Sequence, residues 1–239
     1  MNFSFAVESW FALSSGLSKK HDWELWSKNP VHDWSLPLPK VTKIPMMQSR
    51  RMSIASRFAV EVGLNLIENN NLDLAIFTSQ HGELERTYKI LSTLNRNIDI
   101  SPTDFTLSVH NTASGLLTIV SNKTIPISSL SAHNDSFQQG LIESLAVLHQ
   151  GNKKVLLIDF DGLVPEAYHK EIKPLVPAYA VGYILAKGNE INCQSIKKTP
   201  KIYQPDYPQS LAFLHAYLNK QKQFTIQGNT QDWQWTLNL

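Results

Sequence analysis

Pro126-Ile127-Ser128-Ser129-Leu130-Ser131-Ala132-His133-Asn134-Asp135-Ser136 reads as a strand running into a helix. Ile127 to Leu130 is short, partly apolar and follows a proline, as a strand beside a turn or at a sheet edge does. His133, Asn134, Asp135 and Ser136 form the corner. Asn, Asp and Ser side chains accept hydrogen bonds from the free N–H groups of a first helical turn. Leu141, Ile142, Leu145, Ala146 and Leu148 then recur at helical spacing, and Gly151-Asn152 stops the helix. Val155 to Ile158 follows as a compact buried strand. A strand–corner–helix–strand unit of this kind normally makes a parallel, right-handed crossover. The N-terminus of its helix favours negative charge.

The same pattern extends outward. Upstream, Phe3 to Leu13 reads as a strand, and His21 to Trp26 as a short helix ended by Asn29-Pro30. Pro37, Pro39 and Pro45 punctuate the connection to a helix over Arg50 to Glu68, with Ile54, Phe58, Val62 and Ile67 inward and Asn69-Asn70-Asn71 as its stop. Leu74 to Phe77 is a strand, Thr78 to Gly82 a loop and Glu83 to Leu94 a helix. Ser101-Pro102-Thr103-Asp104 is a helix-start signal, and a further helix runs from about Asn111 to Val120. Downstream, Ala178 to Leu185 is a strand, and beyond Lys187 the pattern loosens. Leu211 to Leu218 reads as a helix. Phe224 to Ile226 and Trp233 to Leu237 read as short strands joined by a hairpin through Gly228-Asn229. The alternation of strands and helices predicts an α/β fold as a single domain over residues 1–239.

Composition narrows the function classes. With 239 residues and 42% hydrophobic content the chain can bury a full core. A formal charge of +2 gives no nucleic-acid footprint. The longest apolar runs fall far below the ~20 residues of a membrane span, and Met1 to Phe5 lacks the basic start and apolar run of a signal peptide. One cysteine, Cys193, excludes an internal disulfide and a multi-cysteine zinc site. These features point to the cytoplasm, with no cofactor and no metal. Among 8 histidines, His81, His110 and His133 lie in loops, but without the spacing or partners of a zinc site. Ser108, Ser114, Ser131 and Ser136 lack the Gly-x-Ser-x-Gly elbow that exposes a nucleophilic serine. Gly82 and Gly115 lack phosphate-loop context. Trp23, Trp26, Trp34, Trp233 and Trp235 suit either a core or an obligate interface, where aromatic residues are enriched.

Further agreement in order and spacing comes from Arg50-Arg51-Met52-Ser53 at a helix start, from Val109, Asn111, Gly115 and Leu117-Thr118-Ile119, and from Pro126 and the Ala178–Leu185 strand. On these residues the chain resembles the N-terminal half of the thiolase-like fold. More narrowly, it resembles the short β-ketoacyl synthase-like, N-terminal proteins of aryl polyene pigment clusters. The resemblance is strongest over residues 1–190, with 190–239 as a family-specific tail. It implies that a nucleophilic cysteine would open the helix at the corner. Asn134, flanked by His133 and Asp135, falls at that point when the pattern is laid down without gaps. A carboxamide forms no acyl thioester, so no catalytic residue is expected. The length implies one of the two halves of a ketosynthase, without the half that carries its two catalytic histidines.

The resemblance therefore implies a non-catalytic subunit like a chain length factor in type II polyketide or fatty-acid-like biosynthesis. Its expected partner is a full-length ketosynthase in a heterodimer, with acyl carrier protein reached through the complex. Phe105, Leu107, Val109, His110, Asn111 and Leu116 are the expected acyl-tunnel residues, and Ile127, Ser128, Ser129 and Leu130 the dimer strand. Two alternatives stay open. One is a stand-alone thiolase-fold enzyme, a decarboxylase or acyltransferase on acyl or malonyl thioesters, using corner N–H groups to polarise a carbonyl. The other is a homodimeric acyl-binding module.

Overall fold

In a computed structural model, the protein is described over residues 1–29, 31–68, 70–151, 153–172, 177–200 and 207–238. The helix stops read at Pro30, Asn69 and Asn152 lie outside the described residues. The first strand, β1, spans Asn2–Ser14 and is followed by helices α1 (Lys20–Lys28), α2 (Met46–Ser49) and α3 (Ile54–Ile67). Strand β2 (Leu74–Thr78) leads to α4 (Leu84–Asn95), α5 (Pro102–Thr106) and α6 (Thr112–Ser121). Then come β3 (Ile127–Leu130), α7 (Ser136–His149), β4 (Lys154–Asp161) and β5 (Tyr179–Lys197). Helix α8 (Gln209–Leu218) and the strands β6 (Gln223–Gln227) and β7 (Gln231–Leu237) close the chain.

The strands form one mixed sheet in the order β3-β2-β4-β5-β7-β6, with β1 also paired to β5. β3, β2 and β4 are mutually parallel, and β3 lies at the edge. β4 and β5 run antiparallel, as do β5 and β7, and β6 and β7. Alternation along the central strands sends their side chains into two cores, one on each face. Ala75, Phe77, Leu156, Ile158 and Phe160 face α3 and α6. Ile76, Val155, Leu157, Val181 and Tyr183 face α7, α8 and α1. Two glycines allow the helices to approach this closely. A Cβ on Gly182 would lie 2.6 Å from Leu66 of α3, and one on Gly140 of α7 would lie 2.3 Å from Thr78.

Two expectations need correction. The helix read over Arg50–Glu68 is broken, because the Ser53 side chain accepts the Ser56 N–H at 3.1 Å and so starts α3 afresh. The strand that ends at Leu185 in the sequence pattern continues to Lys197. Its pairing with β1 skips from Ala186 to Ile191, so the polar Lys187-Gly188-Asn189-Glu190 run bulges out and interrupts the alternation. Trp23, Trp26, Trp233 and Trp235 are buried within the chain itself, in keeping with the core reading of the tryptophans. The hairpin through Gly228-Asn229 forms as read, and α8 packs beside it.

Candidate functional site

The corner after β3 lies at the carboxyl end of the parallel part of the sheet, where ligands of open α/β sheets bind. His133 has a left-handed backbone, with φ of 55°, and is exposed. Asn134 is exposed as well, and its Nδ2 donates to Asn229 Oδ1 at 3.5 Å. Asp135 stands at the N-cap of α7, yet its carboxylate turns to the C-terminal hairpin instead of the helix. It accepts the Asn229 N–H at 3.0 Å and Gln209 Nε2 at 2.8 Å. Ser136 ties the turn by accepting the Ala132 N–H at 2.9 Å and donating to the His133 carbonyl at 2.7 Å. No side chain of His133-Asn134-Asp135 is a thiol. Cys193 is buried in β5 beside Gln138, and burial pushes its thiol up to about 12. Thiolates are the nucleophilic form of cysteine, so this one is inert.

Around the corner, His81 and His133 follow the parallel strands β2 and β3, and His110 precedes α6. His81 leaves β2 half-buried, and burial, then the neighbouring His133, holds its imidazole below the usual range. His110 Nε2 donates to the Ser79 carbonyl at 3.2 Å in the tautomer that protonates this nitrogen. Among the described residues no group of three or more potential ligands could hold a metal ion.

Sequence reasoning missed Asp159 and Asp161. Both sit in β4 as alternate residues of a strand whose neighbours are apolar, and both are buried. Burial pushes each carboxyl up to about 6. Thr78 and Ser210 donate to Asp159 at 2.5 Å and Tyr179 at 2.8 Å. Ser79, Gln80 and His81 all donate to Asp161. Two carboxylates in an otherwise apolar strand were the available signal, because buried charges occur only where partners meet them.

The expected tunnel residues occupy the segment from α5 into α6. Phe105 lies in the last turn of α5 with 65% exposure and Val109 is 50% exposed. Leu107 caps α5 half-buried and Asn111 precedes α6 exposed. Leu116 departs from this group, since it packs partly against the core facing α3. Polar anchors hold the segment. Arg86 Nη1 pairs with Asp104 at 2.6 Å and Lys89 pairs with it at 2.7 Å. Glu83, buried, accepts from Ser53 at 2.9 Å and Ser56 at 2.5 Å.

The expected dimer strand is a bare edge. Ile127 is exposed, while Ser128, Ser129 and Leu130 are half-buried and pair with β2. Ser129 Oγ meets Ser114 Oγ of α6 at 2.9 Å. Beside the edge, Thr118, Ile119, Asn122, Ile125 and Ile127 line an open cleft of about 370 Å³.

With this fold, and with a strand-to-helix corner in this place, the chain belongs to the β-ketoacyl synthase N-terminal domain family, whose profile matches residues 23–236. It has the mixed-sheet, helix-covered architecture of thiolase-like ketosynthases. Among solved structures it is similar to a chain of the complex of the ketosynthase ApeO with its chain length factor ApeC from Xenorhabdus doucetiae. The two are 41% identical over 98% of this chain and 99% of that one, with a TM-score of 0.91. The fold recurs in the ishigamide ketosynthase/chain length factor, at 12% identity over 82% of this chain and 68% of that one, with a TM-score of 0.67. It recurs again in the AntDE:AntF complex of a type II acyl carrier protein with its ketosynthase, at 10% identity over 99% and 100% of the chains, with a TM-score of 0.69. No curated protein sequence matches the chain. No helix among the described residues is long and apolar enough to cross a membrane.

Proposed function

We propose that this chain is a non-catalytic, chain-length-factor-like subunit that pairs with a complete ketosynthase and shapes its acyl tunnel. The observation that carries the proposal is the corner itself. A thiolase-fold corner needs a thiolate at the start of its helix, and here it holds His133, Asn134 and Asp135, while the cysteine of the chain is buried far up its titration range. Condensation chemistry then belongs to a partner. The similarity to a chain from a ketosynthase–chain length factor complex supports the same reading.

Residues 1–239 act as one domain in the cytoplasm. Ile127 to Leu130 meets the partner along the open edge, since unpaired strand edges call for cover. The segment from Phe105 to Asn111 faces the partner's growing polyene, and acyl carrier protein delivers that chain to the partner's cysteine. Tunnel shape changes product length through differential fit, and one methylene is worth about 10–200-fold in an apolar pocket.

The test is co-expression with a ketosynthase, followed by intact-mass analysis under turnover with acyl carrier protein. The acyl adduct is expected on the ketosynthase alone, in a 1:1 complex. An adduct on this subunit at any corner residue overturns the proposal in favour of a stand-alone thioester enzyme. A well-behaved homodimer that ignores the ketosynthase favours an acyl-binding module.

A further inference from the structure

Asp161 has no role in the pairing described above, yet it reaches the segment that would face the acyl chain. It is the last residue of β4 and is buried. Its Oδ1 accepts from Ser79 Oγ at 2.6 Å and from the His81 N–H at 2.9 Å, and its Oδ2 accepts the Gln80 N–H at 3.1 Å. One carboxylate thus fixes three successive residues of the loop that leaves β2. The loop closes on itself, because the Gly82 N–H donates to Ser79 Oγ at 2.7 Å. Gly82 needs its glycine, with φ of 56° and room for a Cβ only 3.1 Å from His110 Cδ2. His110 is therefore seated against both ends of the clamped loop, since its Nε2 donates to the Ser79 carbonyl at 3.2 Å.

His110 joins the Phe105–Val109 stretch to α6. Phe105 and Val109 have little packing of their own, at 65% and 50% exposure. A wall that separates chains differing by one methylene must hold its position closely, and such walls need support from behind.

We infer that Asp161 is a positioning residue for chain-length selection, which acts through the Ser79–Gly82 loop on His110 and so fixes residues 105–111, an inference that rests on the proposed role of that segment. Asp161 touches no acyl chain. Charge-assisted hydrogen bonds from a buried carboxylate are short and directional, which suits them to holding a loop in one place. Burial raises the carboxyl of Asp161, countered first by the Ser79 hydroxyl, then by the His81 and Gln80 N–H groups and last by the nearby His110. Asp159, two residues away, supplies the control. Its partners Thr78, Tyr179 and Ser210 belong to the sheet and α8, none of them to the loop that seats His110.

The experiment reads product-length distributions from the co-expressed ketosynthase complex carrying D161N, H110A, H110Q, S79A, D159N or D161N/H110A. D161N and H110A should each raise the share of off-length product about threefold to tenfold, with the complex intact. The double variant should exceed neither single one, because both cut the same chain of contacts. H110Q should restore the wild-type distribution, since its amide N–H can still donate to the Ser79 carbonyl. D159N should leave the distribution unchanged even where it lowers the melting temperature. A D161N complex with the wild-type distribution, or D161N and H110A effects that multiply, overturns the inference. If D161N fails to fold, H110A decides, and a wild-type distribution there overturns it too. Leu107→Trp is run alongside. If it shifts product length and neither D161N nor H110A does, the positioning role alone fails. If it too shifts nothing, the tunnel role of residues 105–111 fails and takes the inference with it.

Discussion

At one end of the sheet, β6 alternates Gln223, Thr225 and Gln227 with Phe224 and Ile226; at the other, β3 reads Ile127-Ser128-Ser129-Leu130. The β6 end is finished from within. Phe224 stacks on Trp235 at 5.9 Å, Ile226 is buried, and Trp235 meets Phe213 of α8 at 4.9 Å. The β3 end is left open. Ile127 is 36% exposed and Ile119 on the adjoining helix is 67% exposed, and both line the open cleft beside the edge. Period-2 alternation gives a strand one wet face and one dry face. An edge flanked by exposed apolar side chains instead marks a surface meant to be covered. The difference places internal packing at one end, while the other is the edge where the proposed pairing with a ketosynthase would fall.

The largest effect should come from placing a charge at each edge in turn. Ile127→Lys should abolish pairing with the ketosynthase, because the ammonium would be buried without a partner. Its cost to the chain alone should stay within about 0.5 kcal/mol, as for other surface substitutions. Thr225→Lys at the opposite edge should leave pairing intact. Size exclusion with light scattering on the co-expressed pair reads both, and equal behaviour of the two variants would erase the distinction between the edges.

Next in size is the finished end. Trp235→Ala should cost about 3–5 kcal/mol by urea unfolding, the range for removing a fully buried aromatic. Ile119→Ala at the open end should change stability by no more than about 0.5 kcal/mol. If Ile119→Ala proves as costly, that helix face is already packed and carries no partner.

The parallel strand ends between the two edges should respond to pH. Burial pushes Asp159 and Asp161 up to about 6, while the unfolded groups titrate near 3.8. Between those values the folded chain holds more protons, so stability falls as pH rises through the window, and the full cost of burying the charges is present above it. The stability of the wild type relative to D161N should therefore decline from pH 4 to pH 7, on the order of 2–3 kcal/mol. Chemical denaturation across that range checks the sign, and a rising difference would mean that the carboxyl is held below its ordinary value.

The smallest effect lies behind the open end, where polar anchors stand in for packing. Ser53→Ala removes both the cap of α3 and a donor to Glu83, and should cost about 1 kcal/mol. Thermal unfolding of the isolated chain measures it. No loss would mean that Ser56 alone satisfies Glu83 and that the cap is redundant.

Much of this architecture was legible because it is written locally. Ile127 to Leu130 announced a short edge strand, Leu141 to Leu148 a helix, and Gly228-Asn229 a hairpin. Where local signals conflicted, the reading slipped. The polar Lys187–Glu190 run resembled the end of a strand because its bulge lies outside the β1 pairing, and Ser53 hid a helix start inside an apolar periodicity.

The sequence by itself determined the order of the elements and the absence of a thiol at the corner, since residue identity and the spacing of neighbours suffice for both. The tertiary structure alone decided what the polar residues do. Ser79 reaches Asp161 across 82 positions, and Asn229 reaches Asp135 across 94. Periodicity reports which face of an element is apolar; it carries no information about which distant donor will meet a buried carboxylate. That pairing is set by strand order and register, which bring the ends of β2 and β4 together and lay the last hairpin against the start of α7.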